Sequence, residues 1–126
     1  MLKAVIIDAS AISRGLLNTV LTEGGYDVAG QTHSSGKGYA LVEKFRPHFV
    51  CVAQDQADDG EQLVEQIKAS LPKTIVFMVS GALDGATLPA ALARGVQGFI
   101  VKPFKADAVL KTIRNTVLAT IRKQQG

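Results

Sequence analysis

Apolar positions along this chain follow two periods in turn. Five short runs rich in β-branched and aromatic residues, at 2–7, 26–31, 48–53, 74–79 and 97–101, read as strands. Three of them are nearly continuous in apolar side chains, the pattern of strands buried on both faces of a parallel sheet. Between the first two, Ile12, Leu16, Leu17, Val20 and Leu21 recur at helical spacing, and Gly24-Gly25 then ends that helix. A second helix is predicted over 38–44, stopping near Arg46-Pro47, and a third over 61–70, with Leu63, Val64 and Ile67 on one face and Pro72 beyond its end. A fourth spans 86–94, where Pro89 is tolerated because it lies in the first turn. The last carries Ala106, Val109, Leu110, Ile113, Val117 and Ile121 on one face and runs to about residue 123.

Five strands, each followed by a helix through short connections, predict an α/β, doubly wound fold: a parallel sheet covered on both faces by right-handed crossovers. In such sheets ligands gather beyond the carboxyl ends of the strands. The 126 residues match one domain, 1–126, and 47% apolar content supplies a core without disulfides or metal. The longest apolar runs, Phe49 to Ala53 and Ile75 to Val79, have five residues each, far below the ~20 of a membrane span. Ala4 to Ile7 is too short for a secretory signal, so a cytoplasmic location is expected. No output module is expected within this stretch.

The single cysteine, Cys51, lies in an apolar run and is expected to pack as a small hydrophobe. His33 and His48 have no metal spacing with each other or with Cys51 and are expected in loops or at a strand edge. Of the net +3, the segment from Val101 onward carries +5 and the remainder −2. A basic stripe on a terminal helix is most simply a solvated face. With little aromatic interleaving, direct nucleic-acid binding through Lys102, Lys105, Lys111 and Arg114 is not expected.

Several chemistries fail at the strand ends. The turn after the first strand, Asp8-Ala9-Ser10-Ala11-Ile12-Ser13, has no glycine to admit a dinucleotide pyrophosphate. Gly30 to Gly38 is one residue too long for a phosphate loop and has Gly38 where a hydroxyl should hold magnesium, so Gly36-Lys37-Gly38 is read as a strand–helix loop. No serine lies in a nucleophile elbow. What remains is Asp8 after strand one, Ala53 after strand three, Ser80 after strand four and Lys102-Pro103-Phe104 after strand five. An acid, a hydroxyl and a cation at one edge would make a small oxyanion site. Taken singly, Asp8 suits a helix cap, Ser80 a strand end and Lys102 an exposed surface equally well.

Together and in this order, these residues resemble the receiver domain of bacterial two-component response regulators. The likeness spans essentially the whole chain. It includes Lys3 opening a strand that ends in Asp8, Arg14 on the first helix, Gly25-Tyr26, Pro47, Asp59-Gly60 opening the third helix, and Phe77-Met78-Val79-Ser80-Gly81. Ala93-Arg94-Gly95 and, most specifically, Gly98-Phe99-Ile100-Val101-Lys102-Pro103-Phe104 complete it. The resemblance implies a flavodoxin-like (βα)5 sandwich with strand order 2-1-3-4-5 and a cis Lys102-Pro103 bond.

The family accepts a phosphoryl group on a carboxylate at the end of strand three and holds magnesium with two adjacent acids after strand one. Here those positions carry Ala53 and the pair Asp8-Ala9, so one of three acids is present. Alanine has no nucleophile, and magnesium affinity at Asp8 is expected to be weak or absent, with no other cofactor. The loop Gln54 to Gly60 is one residue shorter than the family's and lacks its Met-Pro pair. Asp55 is the alternative acceptor: two residues beyond Ala53, it shares that residue's face if the strand continues so far. Asp58 and Asp59 read as loop and helix-start residues.

The resemblance then implies a non-enzymatic, degenerate receiver that docks with a histidine kinase, an output domain or another receiver. Ser80 and Phe99 fall at the family's switch positions. The face built from the fourth predicted helix, strand five and the last helix is the candidate docking and homodimer surface. A conventional receiver phosphorylated at Asp55 is the competing expectation.

Overall fold

The computed structural model describes residues 1–59, 61–82 and 84–125, with the side chain of Gln125 excepted; Gly60 and Gly126, which fall within the predicted helix opening and the predicted domain, lie outside the described residues. The elements are β1 (Lys3–Ile7), α1 (Ala11–Glu23), β2 (Asp27–Thr32), α2 (Ser35–Phe45), β3 (Phe49–Ala53), α3 (Gln54–Ala57), α4 (Leu63–Ser70), β4 (Ile75–Ser80), α5 (Thr87–Arg94), β5 (Gly98–Val101) and α6 (Ala106–Gln125). All four strand pairings are parallel and the order is β2-β1-β3-β4-β5, the flavodoxin-like arrangement.

Successive side chains of a strand face opposite sides, and that period of two divides the core. Val5, Ile7, Val50, Val52, Val76 and Met78 face Val42 of α2, Leu63, Val64 and Ile67 of α4, and Ala91 of α5. Ala4, Ile6, Phe49, Cys51, Phe77 and Val79 face Leu17 and Leu21 of α1 and Val109 and Ile113 of α6. On that side Tyr26, Phe49 and Phe77 stack edge to face at 5.2 and 5.6 Å between centroids. Cys51 is fully buried there, and burial pushes its thiol far above the ordinary range, which leaves it inert as a nucleophile.

The strands form where expected, but all five begin one residue later than predicted, and β2 and β4 end one residue later, at Thr32 and Ser80. Pairing with neighbours, rather than the apolar run itself, sets these ends. The first helix departs further: Leu17 and Leu21 are buried, whereas Ile12 and Leu16 of the same predicted stripe are 78% and 55% exposed. Ile121, predicted on the inner face of the last helix, is 42% exposed.

Gly36-Lys37-Gly38, expected in a loop, opens α2, because Ser34 caps that helix by accepting the Lys37 N–H. Gly38 is needed there: a Cβ would stand 2.5 Å from the Cδ1 of buried Ile7. The third predicted helix starts at Leu63 rather than 61, after Gln62 in the left-handed region. The one-turn helix α3 has no counterpart in the sequence pattern. Away from the strands' carboxyl ends, the Lys68 ammonium donates to the carbonyls of Pro72 and Thr74 and to Gln97 Oε1 at 2.8–2.9 Å, tying α4 to β4 and to the start of β5. No helix among the described residues is long and apolar enough to cross a membrane.

Candidate functional site

The carboxyl ends of β1, β3, β4 and β5 open on a cleft lined by Asp8, Ala53, Ser80 and Lys102, and edged by Gln54 and Asp55. Asp8 follows β1 and is 4% exposed. Its main chain is fixed from two sides: its N–H donates to the Thr32 carbonyl at 3.0 Å, and its own carbonyl accepts from Arg14 Nη1 at 2.7 Å. One carboxylate oxygen accepts the Ser10 N–H at 2.9 Å. The other faces Lys102 Nζ at 3.3 Å. Ala9, the neighbouring position, is exposed and does not line the cleft.

Lys102 is delivered by β5. Its N–H donates to the Ser80 carbonyl at 3.0 Å, extending the β4–β5 ladder past Val101, and the Lys102-Pro103 bond is cis, as the resemblance implied. Ser80 closes β4 with its hydroxyl buried. That hydroxyl donates to Gln54 Oε1 at 2.5 Å and accepts the Ala82 N–H at 3.1 Å. Ala53 closes β3 opposite Val79 and is 2% exposed, its methyl group on the cleft floor.

Asp55 reaches the cleft, but not by the route expected. The strand does not continue: β3 ends at Ala53 and the chain turns at once into α3, which puts Asp55 on the exposed rim, where Oδ1 accepts the Gln56 N–H at 3.0 Å. Asp58 caps the carboxyl end of α3 and pairs with Arg94 Nη1 at 2.6 Å. Asp59 accepts from Ser35 Oγ at 2.5 Å and from the Glu61 N–H at 3.0 Å, preceding α4 rather than starting it. Phe99 lies outside the cleft. It is half buried against the side of the core that holds Met78, Ala91 and Val96, and one edge borders a groove with Val109 and Thr112 of α6. His33 is exposed, and His48 Nδ1 accepts the Lys3 N–H at 2.9 Å at the opposite edge of the sheet.

Two residues that sequence reasoning passed over complete the site. Gln54 occupies the Ser80 hydroxyl; its only signal was a polar residue directly after an apolar strand. Arg94 holds α3 from α5: Nη2 donates to the Ala57 carbonyl, Nη1 pairs with Asp58, and Nε meets Glu65 of α4 at 3.3 Å. Chemically the cleft floor offers one cation, one buried carboxylate already facing it and one buried hydroxyl already bonded, with Asp55 and Asp58 on its exposed rim. Among the described residues no group of three or more His, Cys, Asp or Glu side chains is placed to hold a metal ion.

The sheet order and the strand-end cleft define a doubly wound α/β protein with a small polar site at its topological edge. Residues 4–114 match the family model of the response regulator receiver domain, and the chain belongs to that family. It is a receiver domain of the two-component response regulators. It is 26% identical over 114 residues to the chemotaxis protein CheY of Listeria monocytogenes, covering 90% of this chain and 96% of that protein. It is 31% identical over 121 residues to the nitrogen assimilation regulatory protein NtrX of Azorhizobium caulinodans, covering 94% of this chain but 26% of that one. Among solved structures, NtrX from Brucella abortus, in complex with ADP, superposes with a TM-score of 0.86 at 25% identity, over 98% of this chain and 28% of the other. The signal receiver domain of the putative response regulator NarL from Mycobacterium tuberculosis gives 0.83 at 21% identity, over 92% and 95%.

Proposed function

We propose that this chain, as one domain over 1–126, is a degenerate receiver: a cytoplasmic signalling module that docks with protein partners without conventional aspartyl phosphorylation, and is not an enzyme. Ala53 carries this conclusion. Its methyl group stands at the end of β3 on the floor of the cleft, on the strand between those that carry Asp8 and Ser80, and offers no lone pair to a phosphorus atom.

The donor set supports the same conclusion for magnesium. A hard divalent ion takes oxygen ligands, usually one or two carboxylates with water and phosphate. Asp8 is the one buried carboxylate in the cleft, and an ammonium already faces it at 3.3 Å. An incoming cation would have to displace Lys102 with no second acid at position 9, so these residues do not fit the family's metal and we assign no cofactor.

The partners proposed are a histidine kinase, an output domain or another receiver. The face formed by α5, β5 and α6, which carries Phe99 and exposed Val101 and Leu92, is the proposed docking and homodimer surface. Nucleic acid is not assigned as a partner.

A second possibility is favoured by one observation: Asp55 lines the same cleft as Lys102 and Ser80. Its carboxylate oxygen would attack phosphorus as the donor's leaving group departs with the bonding electrons. Incubation with a small phosphodonor and magnesium, read by intact mass on the natural chain and on Asp55→Asn, decides between the two. No mass gain is expected. A phosphoryl gain lost in Asp55→Asn would replace the degenerate assignment with a conventional phosphorelay role.

A further inference from the structure

On the cleft floor Asp8 and Lys102 face each other, and the buried Ser80 hydroxyl is taken by Gln54. The Ser80 residue is 6% exposed, so its hydroxyl needs an acceptor, and Gln54 Oε1 supplies one at 2.5 Å. The same hydroxyl oxygen accepts the Ala82 N–H, so the amide of one strand-end residue sets the geometry of the chain leaving β4 toward α5. The amide is itself held in place. Gln54 opens α3, and the far end of that single turn is fastened by Arg94 through the Ala57 carbonyl and Asp58.

We propose that the Gln54 carboxamide is a resident internal ligand of the cleft: it takes the Ser80 hydroxyl where an external oxygen would otherwise bind, and so holds Gly81 and Ala82, just beyond β4, in one state. Gln54 is therefore a positioning residue. It acts through Ser80 and Ala82 on the segment leading into α5. The inference rests on the degenerate assignment above, since a phosphoryl group at this cleft would compete for the same hydroxyl.

The test uses the full chain and amide NMR at Gly81 and Ala82. Gln54→Met keeps the side-chain length and helix propensity and removes the acceptor. Gln54→Glu keeps an acceptor oxygen. In the natural protein, Gly81 and Ala82 are expected to give single sharp resonances that inorganic phosphate does not move. In Gln54→Met they are expected to broaden by exchange, or to shift when phosphate is added, while β1 and β2 amides stay in place; Gln54→Glu is expected to keep the natural pattern.

A merely space-filling role for Gln54 would leave Gly81 and Ala82 unchanged in Gln54→Met, and that result overturns the inference. A Ser80→Ala variant guards against misfolding of the first: combined with Gln54→Met it is expected to add nothing to the loop effect, and full additivity would count against the bond. Failure of the degenerate assignment is read separately, as a phosphoryl mass gain in the natural chain.

Discussion

The Asp8–Lys102 pair gives the sharpest quantitative test of the cleft, because its two members are unequally buried. At 3.3 Å and an effective dielectric of about 20, the gross attraction is about 5 kcal/mol, most of it offset by desolvation. The Asp8 side chain is only 6% exposed and that of Lys102 is 30% exposed, so the two single truncations differ. Lys102→Met strands a buried carboxylate. Removing one partner of a fully buried pair costs about 3–5 kcal/mol, and two features lower that figure here: Lys102 is partly screened by solvent, and Asp8 keeps its bond from the Ser10 N–H. The expected loss is about 2 kcal/mol, or about 8 °C in Tm for a chain of this size.

Asp8→Asn leaves Lys102 free to turn toward water and an amide oxygen able to take the Ser10 N–H, so its cost is expected to stay below about 1 kcal/mol. The double variant is expected to be more stable than Lys102→Met alone, since it removes the stranded charge. Urea unfolding monitored by circular dichroism, with unchanged m-values, measures all four corners of the cycle. Equal costs for the two single variants, or additivity in the double, would refute the picture of a buried carboxylate neutralised by a partly exposed ammonium.

Three further outcomes follow from the geometry. Gly98→Ala would place a Cβ 2.7 Å from ring atoms of buried Phe77 and 2.9 Å from Thr116 Oγ1, and is expected to destabilise by about 2 kcal/mol in the same urea assay. Gly15→Ala, inside α1 and with open space at its Cβ, is expected to stabilise by about 1 kcal/mol, and a reversal of that order would show the backbone placement to be wrong. Bonds from the Thr87 and Ala86 N–H groups hold the Asp84 carboxylate below its usual range. A group depressed in this way supports the fold above its unfolded pKa and loses that support as pH falls through the folded value. The first turn of α5 should therefore loosen only in acid, and an NMR titration of Ala86 and Thr87 amides with a midpoint at or above the ordinary aspartate value would count against it.

The strands were the most legible part of the fold, because runs such as Phe49–Ala53 are apolar on both faces and can only sit inside a covered sheet, whereas their order was implied by the family resemblance and not by the pattern. Asp8, Ser80 and Lys102 were legible for the same reason: once strand ends are known, the residues there must share an edge. Periodicity was a weaker guide to coverage. Ile12 and Leu16 share a stripe with Leu17 and Leu21, yet the stripe does not say how far around α1 the sheet and α6 reach, and the first two face solvent. The turn α3 was illegible because Gln54-Asp55-Gln56-Ala57 carries one apolar residue and no stripe. That omission also misplaced Asp55, whose expected route assumed two more residues of strand. Gln54 and Arg94 act through contacts made across 26 to 37 positions of sequence, which no local pattern encodes.

A cleft that satisfies its own polar groups changes what can act as input. A two-state equilibrium moves only by the difference in a ligand's affinity for its states, and reversing it from 1:99 to 99:1 takes about 5.5 kcal/mol. Exchanging the Gln54 amide for another oxygen on Ser80 trades one hydrogen bond for another, with a net worth of about 1 kcal/mol at most. A small oxyanion finding only Lys102, already committed to Asp8, gains little more. A protein surface of about 1,200 Å² can supply the missing free energy through buried apolar side chains, and the face of α5 and β5 presents Leu92 and Val101 outside the core. On the proposed function, then, a protein docked on that face, and not a small ligand in the cleft, is the input large enough to shift Gly81 and Ala82 from the state that Gln54 holds.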